Sequence, residues 1–195
     1  MTLILASNSR IRAELLTNAG LNFTTASPGV DESAIKTTLS QEPTEAVAQH
    51  LAQAKACAVS TTHPNTFVIG ADQILDCDTQ RFDKPTDLAA ARHQLNSLRG
   101  KTHRLVSAVT CVRNGATIWQ FTDIAQLSMR MFTDAFLDSY FARHDKDLLT
   151  SVGAYKLESD GIQLFDKIDG DYFTVLGLPL MPLLSFLRRQ QVIAS

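Results

Sequence analysis

Leu3-Ile4-Leu5-Ala6-Ser7-Asn8-Ser9-Arg10-Ile11-Arg12-Ala13-Glu14-Leu15-Leu16 decides the fold class of this 195-residue chain. Its apolar run predicts a short buried strand over 2–6, and Ser7, Asn8 and Ser9 are residue types that cap helix starts. A helix follows from about Arg10 and ends at Gly20, where glycine suits a helix stop. Working outward, 23–26 reads as a second strand, Ser27-Pro28-Gly29-Val30-Asp31-Glu32 as a turn carrying two acids, and 44–60 as a helix with Ala and Leu at helical spacing. Residues 66–71 form a β-rich run that ends in Asp72, and Thr86 is placed to cap an Ala-rich helix reaching Leu98. Asn114-Gly115 is a strong hairpin signal between strands over 103–113 and 116–131, so an antiparallel pair interrupts the β/α alternation. A helix over 134–144, a loop through Gly153, a strand near 161–168 and an amphipathic helix after Gly177-Leu178-Pro179 complete an α/β chain with a mixed sheet.

Composition agrees with a compact domain: 45% of residues are hydrophobic and 19% are charged. A chain this long buries roughly 70% of its unfolded surface, so 1–195 is expected to be one domain, or two tightly joined lobes, that needs no disulfide or structural metal. The formal charge of -2 gives no bulk attraction to long nucleic acid or to an anionic membrane, yet leaves room for a small phosphorylated ligand. Cys57, Cys77 and Cys111 are odd in number and form no CxxC, which speaks against a disulfide framework and for a reducing cytoplasm. No basic leader opens the chain and no apolar run nears about 20 residues, so neither secretion nor membrane spanning is expected.

Three sets of residues could carry chemistry. Ser7 through Arg12 begin a helix whose unpaired N–H groups can hold a phosphate, although an ordinary cap with a solvated arginine has the same sequence. Asp72 ends an apolar strand, where open α/β sheets put ligand-handling residues, but a capping aspartate is equally consistent there. With Asp31 and Glu32 it could offer Mg²⁺ hard oxygen ligands, substrate phosphates completing the shell. Lys55 and Lys84 could neutralise a polyphosphate, or be solvated surface charges. The five histidines lack metal-ligand spacing, and GxSxG, GxxxxGK[ST] and GxGxxG are all absent.

Taken together, Leu3-Ile4-Leu5-Ala6-Ser7-Asn8-Ser9 with Arg12 and Glu14-Leu15-Leu16 resembles the opening of the Maf family, usually LILAS.SPRR.ELL. Val30-Asp31-Glu32, Ala54-Lys55-Ala56, Ile69-Gly70-Ala71-Asp72, Lys84-Pro85, Gly100-Lys101-Thr102-His103, Gly153-Ala154-Tyr155 and Gly170-Asp171-Tyr172, leading to Gly177-Leu178-Pro179-Leu180, follow in family order. The resemblance implies a Maf/ITPase-like fold, an elongated mixed β-sheet flanked by helices with a cleft between two lobes, in a homodimer. It implies a nucleoside triphosphate pyrophosphatase that uses a divalent cation, Mg²⁺ or Mn²⁺, to cleave between the α- and β-phosphates in nucleotide housecleaning. Asp72 would then activate water, Ser7, Arg12, Lys55 and Lys84 would hold the triphosphate, and Glu32 with Asp72 would bind metal.

The base pocket departs from the commonest pattern. The pyrimidine-nucleotide branch reads SPRR, GADT and AGAYGIQG, whereas this chain has Ile11, Gln73 and Glu158 at the corresponding places. Gln73, Lys156 and Glu158 resemble the branch acting on 7-methyl-GTP, and Thr174 leans the same way. A carboxylate at 158 could accept from the N1–H and N2–H groups of guanine and favour the positive charge that 7-methylation creates. Ile11 stands where that branch has Trp, so it offers the base only apolar packing, or simply faces the core. A dTTP/UTP-type enzyme and a non-catalytic, nucleotide-binding regulator of septum formation are the alternatives.

Overall fold

The structure, a computed structural model, describes residues 2–194. β1 (Leu3–Ala6) is buried along its whole length and lies parallel to both β2 (Thr24–Thr25) and β3 (Phe67–Cys77). β4 (Gln80–Phe82) turns back antiparallel on β3, through a turn in which Asp78 and Thr79 have φ of 50° and 68°. β5 (Thr102–Arg113) and β6 (Ala116–Met129) are joined at Asn114 (φ 53°) and Gly115 (φ 74°), the two left-handed residues a tight hairpin needs. β7 (Phe165–Asp169) pairs antiparallel with β6, which completes a mixed seven-stranded sheet in the order β2-β1-β3-β5-β6-β7 with β4 on β3. The helices are α1 (Arg10–Asn18), α2 (Glu32–Thr38), α3 (Thr44–Ser60), α4 (Leu88–Leu98), α5 (Asp134–His144), α6 (Tyr172–Val175) and α7 (Leu180–Arg189). Among the described residues, no helix is long and apolar enough to cross a membrane.

Several elements differ from the reading of the sequence. Asp72 stands inside an 11-residue strand instead of at its end, because the buried run continues through Ile74 and Leu75 and the acid has its own cationic partner. Glu32 opens a helix instead of sitting in a turn: Asp31 Oδ1 accepts from Ala34 N and caps α2, whose residues include none that is buried and so carry no apolar period. Asp87, not Thr86, caps α4 by accepting from Ala90 N. The stretch read as a loop before Gly153 holds two 3₁₀ segments, Asp145–Thr150 and Val152–Ala154, and a third, Asp160–Leu164, takes the front half of the expected strand near 161–168.

The chain divides into two compact units. The first holds the residues up to Gln73, Val106–Ile124 and those from Asp171 onward; the second holds Ile74–Leu105 and Ala125–Gly170. In the first unit, strand alternation sends Leu3, Leu5, Phe67, Ile69 and Ala71 to one face, against Leu15 and Leu16 of α1 and Leu183, Phe186 and Leu187 of α7. Ile4, Ala6 and Val68 go to the other face, against Ala56 and Val59 of α3. Gly70 shares this second face, and a β-carbon there would stand 2.1 Å from the Ala52 carbonyl oxygen and 2.7 Å from the Ala56 nitrogen. In the second unit, His103 and Tyr155 are buried and joined by a 2.7 Å hydrogen bond between Nε2 and the phenol oxygen, and both rings lie against Phe165.

Candidate active site

The close approach of α3 to β3 brings opposite charges together. Along α3, Val47, Leu51, Lys55 and Val59 recur every four residues, so Lys55 occupies an apolar-stripe position and is buried with its neighbours. On β3, Asp72 follows Gly70 by two residues and faces the same way. Lys55 Nζ donates to Asp72 Oδ1 at 2.7 Å and lies 2.8 Å from Glu32 Oε1. Lys55 and Asp72 are each 6% exposed, so their attraction is little screened by water. Burial pushes the Asp72 carboxyl above its ordinary range, with Lys55 and then Arg12 pulling it part of the way back. Burial also acts upward on the half-exposed Glu32, but the hydrogen bond and charge of Lys55 outweigh it and hold this carboxyl low.

Arg12 comes from the first turn of α1 and is buried. Its Nε donates to the Gly177 carbonyl at 2.7 Å and its Nη1 to the Ala71 carbonyl at 2.8 Å, which ties α1 to β3 and to the Gly177 turn. Burial works against its charge, while Asp72 and Glu32 favour it. Ser7 is buried beside the start of α1, where its Oγ accepts from the Ser9 N–H. Ser9, the residue before α1, makes no side-chain cap. Gln73 donates from Nε2 to Ser107 Oγ and to the Thr174 and Val175 carbonyls, each at 3.0 Å. Ile11 is half-buried and packs on the core cluster of α1 and α7. The first unit thus brings Arg12, Glu32, Lys55, Asp72 and Gln73 into one charged and polar cluster, with Ser7 and Ile11 placed by the same helix α1.

Among the described residues, no group of three or more His, Cys, Asp and Glu side chains converges as a metal cage. The donor chemistry of the cluster is nonetheless that of hard oxygens: Glu32 and Asp72 each give Lys55 one carboxylate oxygen and keep a second.

Residues 2–190 match the Maf-like protein family. The chain belongs to that family. A nucleoside triphosphate pyrophosphatase of Paramagnetospirillum magneticum is 51% identical over 187 residues, 95% of this chain and 96% of the relative. A 7-methyl-GTP pyrophosphatase of Brucella abortus is 50% identical over 193 residues, 98% and 97% of the two chains. A nucleoside triphosphate pyrophosphatase of Caulobacter vibrioides is 53% identical over 186 residues, 94% and 93%.

Two of the residues singled out in this Maf-like sequence, Lys84 and Glu158, belong to the second unit, and both are exposed. Lys84 precedes the buried Pro85, and Glu158 lies between the 3₁₀ segments that end at Ala154 and begin at Asp160. The sequence reading missed Ser107, Thr174 and Asp123 as a connected set. Ser107 Oγ donates to the Thr174 carbonyl at 2.8 Å, and Thr174 Oγ1 donates to Asp123 Oδ2 at 2.6 Å. A serine within the apolar run of β5 was the available signal, since a fully buried hydroxyl needs a partner.

Proposed function

We propose that this chain is a nucleoside triphosphate pyrophosphatase, a hydrolase that releases a nucleoside monophosphate and pyrophosphate from modified nucleotides such as 7-methyl-GTP. The observation that carries the reading is the buried Lys55–Asp72 pair with the half-exposed Glu32 beside it, supported by relatives near 50% identity named as pyrophosphatases. Hydrolysis of a phosphoanhydride needs charge neutralisation and an in-line water, not a covalent nucleophile. Asp72 acts as the general base. Its raised proton affinity makes it a better acceptor than a solvated aspartate, and the oxygen not bound to Lys55 takes the proton of the attacking water.

Lys55 holds Asp72 and Glu32 in register and supplies positive charge where phosphate oxygens gather. Arg12, with Nε and Nη1 engaged by main-chain carbonyls, offers its remaining N–H groups and its charge to the triphosphate, and Ser7 and Lys84 complete the phosphate contacts. Glu32 and Asp72 fit a divalent cation, Mg²⁺ or Mn²⁺, because such ions accept one or two carboxylates and take the rest of their shell from water and substrate phosphate. The cation, when bound, supplies Lewis-acid charge against the phosphate oxygens. Ile11, Gln73 and Glu158 set base preference, with guanine derivatives favoured over dTTP and UTP.

The whole of 1–195 acts as one Maf-like domain, in keeping with the family match over 2–190. A cytoplasmic setting is in keeping with three free thiols at Cys57, Cys77 and Cys111. The homodimer implied by the resemblance is tested by light scattering. Pyrophosphate release measured with Mg²⁺ or Mn²⁺ over 7-methyl-GTP, GTP, dTTP, UTP and CTP tests the activity. Turnover abolished by EDTA and highest for 7-methyl-GTP is expected; no release from any nucleotide would overturn the reading.

A further inference from the structure

A carboxamide can present a base with a donor, an acceptor or both, and which it presents depends on what holds its other end. At Gln73 that end is settled by chemistry. The carbonyls of Thr174 and Val175 can only accept, so the Gln73 atom 3.0 Å from each must be the nitrogen. The third contact, Ser107 Oγ, has its proton directed at the Thr174 carbonyl and therefore accepts from Nε2 as well. Two amide hydrogens thus face three acceptors, and none is left for a ligand.

The acceptors are themselves fixed. Thr174 and Val175 end the short helix α6, where the Thr174 carbonyl also accepts from Gly177 N at 3.0 Å, and Asp171 sets this turn by accepting from Phe173 N and Thr174 N. Asp123 then grips Thr174 through its hydroxyl. With its nitrogen held, Gln73 points Oε1 the other way, to the Gly177 turn: a β-carbon on residue 177 would stand 3.5 Å from Oε1 and 3.4 Å from Arg12 Nη2, so both atoms border the same glycine.

We infer that Ser107 and Thr174 are positioning residues that lock Gln73 with its oxygen toward the ligand, so that this residue reads the base as an acceptor only. The inference deepens the proposed activity and rests on Gln73 meeting the base. An acceptor suits the adjacent N1–H and N2–H donors of guanine. Against uracil or thymine it meets one ring N–H flanked by two carbonyl oxygens, which repel it.

The test is the ratio of kcat/KM for 7-methyl-GTP over UTP in the wild type, Ser107→Ala, Ser107→Thr and Thr174→Val. Ser107→Ala and Thr174→Val should lower the ratio about tenfold, the scale of one hydrogen bond, through KM and with kcat little changed. Ser107→Thr, which keeps the hydroxyl, should retain it. An unchanged ratio in both variants, or an equal fall for both nucleotides, would overturn the inference, as would a wild-type preference for UTP. Melting temperatures show which variants are folded, and Thr174→Val carries the test where Ser107→Ala fails to fold. If the wild type releases no pyrophosphate, the ratio of Kd values for the same nucleotides is read instead, so that the pyrophosphatase reading falls alone while an unmoved Kd ratio would sink the locked carboxamide.

Discussion

Lys55 is the residue on which the candidate site turns, because an ammonium inside an apolar stripe is tolerated only with acids beside it. Asp72 is the matching demand from the strand: burial raises its proton affinity, so it is ionised only above a pH higher than a solvated aspartate requires. A base must be deprotonated to act, so kcat/KM should fall as pH drops through this raised value, giving an acid limb above the usual carboxylate range. Asp72→Asn keeps the shape and the hydrogen-bond acceptor for Lys55 but cannot take a proton. It should lower kcat by a factor of about 10² to 10⁴ while nucleotide affinity changes only a few-fold, read by pyrophosphate release and calorimetry. Substantial residual turnover would remove Asp72 from the role of base. Lys55 was singled out in the sequence as a cation for phosphate, and it stands in the every-fourth-residue row with Leu51 and Val59. Its pairing with Asp72 and Glu32 was not legible, although each acid was singled out: the strand containing Asp72 and the helix start at Glu32 lie at other places in the chain, and only folding brings them within 3 Å of Lys55.

At the scale of elements, small residues set the distance across which that charge pair forms. Gly70, Ala52 and Ala56 let α3 lie against β3 with main chain nearly touching main chain. Gly70→Ala would put a methyl carbon 2.1 Å from the Ala52 oxygen, and since the obstacle is backbone, the helix must move as a body. The expected cost is about 3 kcal/mol. In a chain of this length that is a fall in Tm of roughly 6 to 12 °C. The same shift should separate Lys55 from Asp72 and lower kcat more than KM, measured in the fraction that remains folded; a variant with wild-type Tm and turnover would show that the helix has room. The long elements were legible in sequence because they repeat a period: α3, α5 and the β5–β6 hairpin sit where 44–60, 134–144 and Asn114-Gly115 put them. The short ones were not. α2 has no buried face, β4 has three residues, and the 3₁₀ segment Asp160–Leu164 has no period to announce it.

For the molecule as a whole, the response to acid follows from a buried histidine that the proposed chemistry does not use. His103 is 1% exposed, its Nε2 is bonded to Tyr155, and among the described residues its Nδ1 has no hydrogen-bond partner. Burial lowers its pKa from the ordinary 6.5 to about 4, with Asp76 opposing only part of the fall. The folded ring is therefore neutral between those values while the unfolded one is charged, so the unfolded state binds the extra proton. The stability this contributes is complete above pH 6.5 and is lost as pH falls toward 4. By linkage, the difference between about pH 7.5 and about pH 4.5 is roughly 2.5 kcal/mol from this one residue. His103→Gln keeps a polar partner for Tyr155 without titrating in this range. Urea midpoints of the two proteins at those two pH values should therefore show the wild type losing more stability on acidification than the variant, although the variant starts lower at neutral pH. Equal losses would mean that the ring is protonated inside the fold, with a proton shared toward Tyr155 or with water reaching Nδ1.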